Sequence, residues 1–140
     1  VSGRNVRGQK MLMLSASALL VHVVGVYLEF TSTTPEAALN GLRMQYLVAG
    51  NAALFLMMFL FEYCGSKCPK GLWIPMLAYN TATFALVMTC DSHDLYYKSM
   101  TFVEDGLYPH FETEKGIFYY IFIYFFIHLS LVLLYIVFMA

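Results

Sequence analysis

The stretch Ile117–Ala140, IFYYIFIYFFIHLSLVLLYIVFMA, contains no charged side chain. At about 1.5 Å per helical residue it is long enough to cross a hydrocarbon core of roughly 30 Å, a task for which about 20 residues suffice. Three more apolar segments of similar length precede it: Met11–Phe30, Met44–Tyr63 and Leu72–Cys90. The third is diluted by Pro75, Asn80 and threonines, and Pro75 is placed near the first turn, where a proline costs a helix little. Val26–Phe30 supplies no small-residue cleavage site, so the first segment reads as a span rather than a secretory signal. The pattern predicts one all-α membrane domain over residues 1–140. Its four transmembrane helices form an up-down bundle with spans at about 11–30, 44–63, 72–90 and 117–140.

Composition agrees with a life in lipid. Hydrophobic residues make up 60% of the chain and charged residues 12%, against about 25% charged in an average soluble protein. The formal net charge of −1, without any dense Lys/Arg cluster, leaves no electrostatic footprint for nucleic acid. Arg4, Arg7 and Lys10 precede the first span, and Lys67 and Lys70 lie between the second and third. In a four-span chain these segments share one side. The positive-inside rule therefore places both termini on the cytosolic or matrix side.

On the opposite side runs Asp91–Gly116, a single long loop that is both acidic and aromatic. Loops beyond about 12–15 residues inside a compact domain are commonly functional or disordered. This one is too aromatic for a free linker, and Tyr96, Tyr97, Phe102, Tyr108 and Phe111 are its candidate partner-docking residues. Its Asp, Glu and His residues stand at no diagnostic metal-ligand spacing, so no metal is expected. Cys64-x3-Cys68 matches neither a redox pair nor half of a zinc site. No Asn-x-Ser/Thr acceptor occurs.

Each apolar segment carries a strongly polar residue near its middle: His22, Asn51, Asn80 and His128. Counted along helices, all four fall in a slab under about 10 Å thick near the midplane. Hydrocarbon penalises isolated polar groups, so the four are expected to face one another as an interhelical polar core. Spacings of three and four extend them into faces. Ser15, Ala18, His22, Gly25 and Glu29 share one side of the first helix, and Tyr120, Tyr124, His128 and Tyr135 share one side of the last.

Three functions follow from such a core. The first is structural: a small non-catalytic accessory subunit of a multisubunit, energy-converting membrane complex, with other integral membrane subunits and lipids as partners and no cofactor. The missing glycosylation site and the start at Val1 suggest a mitochondrial or bacterial inner membrane and a place in electron transport. The second is a b-type haem anchor ligated by His22 and His128, two imidazoles at matched depth on different helices. The third is a conduit for protons or a small solute along His22, Glu29, Glu62 and the two asparagines. No family is recognised. Gly71-Leu72-Trp73 resembles a claudin-like tripeptide but stands on the basic side without its cysteine pair, and Arg43 with Asn51 matches microsomal glutathione transferase-like helices only in isolation.

Overall fold

The computed structural model describes residues 7–139, the side chain of Val137 excepted. Arg4 and Ala140, both counted in the sequence reading, lie outside the described residues. The order is α1 (Gln9–Thr31), α2 (Pro35–Tyr63), α3 (Lys70–Met88), a 3-10 turn at Cys90–Ser92, β1 (Tyr97–Val103), β2 (His110–Lys115) and α4 (Ile117–Met139). All four α-helices are long and apolar enough to cross a membrane. The chain is a mostly helical, multi-pass membrane protein.

α2 begins nine residues before the predicted span. Apolarity marks where a helix meets lipid; it does not mark where the helix starts. The start is set by Thr34, whose hydroxyl accepts from Ala37 N at 3.3 Å, by Pro35 at the first position and by Glu36 in the first turn. At the other end Gly65 takes φ +80°, while Ser66 N reaches back to Phe61 O at 2.9 Å. This is the left-handed closure that glycine permits. α3 starts at Lys70, so Pro75 falls in its second turn rather than its first.

α2 is the hub, packing against α1, α3 and α4. Its antiparallel contact with α1 is set by small residues. A Cβ at Gly41 would stand 2.6 Å from Glu29 N and 2.8 Å from Gly25 O, and one at Gly25 would stand 2.9 Å from Gly41 O. Further along, Ser15 Oγ donates to Ala52 O at 2.9 Å. Without a hydrophobic drive between helices in lipid, such backbone approach and interhelical bonding do the holding. Ser15, Ala18 and Gly25 are buried, and His22 and Glu29 are half-buried, so this face of α1 turns inward. Towards the end away from the hairpin Leu54, Met57, Met76 and Leu129 form one core; towards the hairpin end Leu42, Val87, Cys90, Tyr96 and Tyr97 form another.

The segment expected as a loop is a β-hairpin, so the fold is not purely helical. β1 and β2 pair antiparallel, with Met100 opposite Thr113 and Phe102 opposite Phe111. Ser99, Thr101, Glu112 and Glu114 occupy the exposed face. The Phe-Glu-Thr-Glu-Lys alternation of residues 111–115 is the period-2 signature of a half-buried strand. A bulge between Tyr97 and Ser99 leaves Lys98 exposed while Tyr96 and Tyr97 are both buried. Gly116 closes the unit: its N–H donates to Tyr96 O at 2.8 Å, and any Cβ there would collide with the carbonyl of Leu95.

Candidate functional site

The hairpin end of the bundle carries an aromatic joint. Tyr96 is 0% exposed and Tyr97 4%. Tyr96 meets the rings of Tyr46 at 5.3 Å, Tyr97 at 5.0 Å and Tyr119 at 5.9 Å, all edge-on. Such edge-to-face pairs each add about 0.5–1.5 kcal/mol beyond area burial. The hydroxyls of Tyr46 and Tyr97 share a hydrogen bond of 2.9 Å. The Lys115 ammonium lies 4.8 Å from the Tyr119 ring centre and 5.2 Å from that of Tyr97, within cation–π range. One cluster thus joins the hairpin to α2 and α4.

Two further contacts tie the hairpin layer to the other helices. Arg43 of α2 donates from Nη2 to Asp91 Oδ2 at 2.8 Å and to Met88 O at 3.1 Å, pinning the end of α3. Tyr108, near the hairpin tip, packs on Phe30 of α1 with ring centres 4.7 Å apart. Just below the joint, Gln45 Nε2 donates to the Glu29 carboxyl. His93 receives Leu95 N–H on Nδ1 at 3.3 Å and faces Thr89 Oγ1 from Nε2 at 2.9 Å, so its second ring nitrogen is the donor.

Burial pushes the phenols of Tyr96 and Tyr97 well above their ordinary value, and the neighbouring tyrosines push the same way. Burial lowers Lys115, partly opposed by Glu29. The Cys90 thiol is raised by burial and then by the Asp91 carboxylate beside it, so it stays protonated and unreactive. Cys64, Cys68 and Cys90 are all free thiols. Among the described residues no three His, Cys, Asp or Glu side chains converge as a metal site would require.

The four midplane residues do not form one core. Asn80 Nδ2 donates to Asn51 Oδ1 at 3.3 Å, a bond made possible because Gly50 leaves room for the Asn80 amide. His22 lies elsewhere, in a cavity with Leu42, Gln45, Tyr46, Ala49 and Phe122. His128 is exposed, rests against Tyr124 with ring centres 4.4 Å apart, and borders a different cavity with Pro75, Met76 and Val132. The two cavities have no lining residue in common. α4 instead turns its apolar Leu129 inward, with Phe122, Phe125 and Leu133 around it.

Of the five expected docking residues, Tyr96 and Tyr97 are spent on the internal joint. Phe102 and Phe111 stack across the strands at 5.4 Å, and Tyr108 keeps about half its surface. Sequence reading missed Arg43, Gln45, Tyr46, Lys115 and Tyr119. The available signal was polarity at the hairpin ends of the spans, where each of these residues sits.

The model of the family described as the N-terminal 7TM region of histidine kinase matches residues 1–140, the whole chain. No curated protein and no solved structure matches it significantly. A family match over every residue overturns the expected accessory subunit of an energy-converting complex, and with it the mitochondrial and electron-transport assignments. Membrane residence was legible as physics, but midplane polarity is shared by membrane proteins of many functions and does not choose among them. A match that covers residues 1–140 places the chain in the family of the N-terminal 7TM region of histidine kinase.

Proposed function

We propose that this chain is the membrane-embedded sensory input of a histidine kinase, without catalytic groups of its own. The family match over residues 1–140 carries the reading. Charge supports an orientation: Arg7, Lys10, Lys67 and Lys70 lie at one end of the helices, so that end faces the cytosol and the hairpin faces outward. The geometry supports a route. A change at the hairpin alters the Tyr46–Tyr97 and Arg43–Asp91 contacts, both of which act on α2. α2 in turn packs on the other three helices, so a shift in it is felt at the inner end.

The test is phosphate incorporation from radiolabelled ATP by the kinase polypeptide that carries this region, reconstituted in nanodiscs. Gly41→Leu, which wedges α1 from α2, is expected to change the initial rate at least threefold in either direction. An unchanged rate in a variant shown to be inserted and folded would contradict the proposal.

A further inference from the structure

Charge divides the two ends of the bundle. Away from the hairpin stand Arg7, Lys10, Lys67 and Lys70 and, among the described residues, a single acid, Glu62. The ion pairs formed among the described residues, Arg43–Asp91 and Lys98–Glu114, use none of these five. The six residues ahead of Arg7 include no Asp or Glu to neutralise it. Arg7, Glu62 and Lys67 line one cleft of about 300 Å³ between the start of α1 and the turn after α2, with Ser66 and two glycines between them. That volume is at the lower end of the roughly 300–1,000 Å³ typical of ligand pockets.

The glycines shape the cleft. Gly8 and Gly65 both take left-handed backbone, at φ +79° and +80°. A Cβ on Gly8 would stand 2.8 Å from the Phe59 ring and 3.4 Å from the Glu62 side chain, and one on Gly65 would stand 3.3 Å from Arg7 Nη1. The start of α1 is thus laid on the last turn of α2, and Arg7 reaches the turn that carries Ser66 and Lys67. Both helices are long and apolar enough to cross a membrane. A cleft between the first turn of one and the last turn of the other therefore lies at head-group depth. Tyr63 is exposed beside it and packs on Phe59 with ring centres 5.7 Å apart, an aromatic anchor of the kind found at that level.

The mixture of signs selects the head group. Arg7 and Lys67, with the Ser66 hydroxyl, match a phosphodiester, to which a guanidinium donates two parallel hydrogen bonds. Glu62 matches a primary ammonium, whose N–H groups a carboxylate accepts. We infer that the cleft binds the head group of a phosphatidylethanolamine, its phosphate on Arg7 and Lys67 and its ammonium on Glu62. A glycerol head leaves Glu62 beside the phosphate with no cation of the lipid to balance it, and a choline head has no N–H to give. The tails then follow exposed Leu12, one turn further along α1. This binding requires neither the orientation nor the sensory role proposed above.

The full protein, delipidated in detergent, is titrated with phosphatidylethanolamine, phosphatidylglycerol or phosphatidylcholine of identical dioleoyl tails, and bound lipid is counted by native mass spectrometry. The first phosphatidylethanolamine is expected to bind about fivefold more tightly than either of the others. Arg7→Gln with Lys67→Gln should weaken it about tenfold, the loss that goes with a charge-assisted hydrogen bond. Lys10→Gln with Lys70→Gln removes the same charge outside the cleft and should leave the affinity within about twofold. Glu62→Gln should leave phosphatidylethanolamine no tighter than phosphatidylglycerol. If Glu62→Gln cannot be recovered folded, the lipid preference and the two double variants decide. Equal affinity for the three lipids, tighter phosphatidylglycerol, equal losses in the two double variants, a preference that survives Glu62→Gln, or displacement of the lipid by excess inorganic phosphate would each overturn the inference.

Discussion

Asn80, Gly50 and Asn51 illustrate how single residues hold this protein together in lipid. The Asn51–Asn80 bond is worth about 0.6 kcal/mol on average and about 1.7 at the high end for interhelical bonds of this kind. Asn80→Ala is therefore expected to lower stability by about 1 kcal/mol in a reversible denaturant titration in micelles. Gly50→Val should cost more, because its side chain would occupy the place of the Asn80 amide. The buried phenols set an alkaline limit. Tyr96 and Tyr97 titrate above their unfolded value of about 10, so the folded state favours the protonated phenol. Their contribution is complete below about pH 10 and is lost as pH rises through that value towards their folded ones. Lys115 runs the other way: its lowered value penalises the protonated form in the folded state, and that penalty fades as the amine loses its proton. Two buried phenols outweigh one partly exposed amine, so the outer layer should loosen above about pH 10. Tyrosinate absorbance should then rise in step with the loss of near-UV circular dichroism; phenols ionising while the dichroism stays intact would contradict this.

At the scale of elements, α1 and α4 differ in how much the sequence disclosed. On α1 the small and polar residues recur on one face, and that face is the one packed on α2, so its inward side was legible from spacing. On α4 the same logic picked Tyr120, Tyr124, His128 and Tyr135, all of which are exposed. There the contact is made by aromatic and aliphatic residues, which look alike on every face of so apolar a helix. The hairpin was legible in part: Phe111–Lys115 alternates, but a loop composition rich in acids and aromatics hid it. The Arg43–Asp91 link is half-exposed, where ion pairs contribute about 0–1 kcal/mol. Arg43→Met is therefore expected to leave the helices intact while raising amide hydrogen exchange across Cys90–Tyr97 several-fold. Gly41→Leu forces backbone against backbone between α1 and α2, where neither side can yield. It should cost about 3 kcal/mol, the upper end for overpacking.

The whole molecule was legible as an object in a membrane and illegible as a member of its family. Four apolar segments and the distribution of lysines and arginines follow from the physics of a bilayer and can be read from composition. No residue constellation in the sequence announces a histidine kinase, because apolar spans and polar midplane residues look alike in membrane proteins of many functions. The proposed orientation has its own check. Cys64 is exposed at the end away from the hairpin, and Leu107 is 99% exposed at the hairpin tip. In intact cells a membrane-impermeant maleimide should label Leu107→Cys and spare Cys64; the reverse pattern would invert the topology. The central claim is that the hairpin and the helices beneath it set the output of a kinase. Its most direct test places Phe30→Cys and Tyr108→Cys in a kinase otherwise stripped of cysteine, bridges them with a short reducible cross-linker, and measures autophosphorylation in nanodiscs. The bridge is expected to change the rate at least threefold, and reductant to restore it. Equal rates with the bridge formed and cleaved would contradict it.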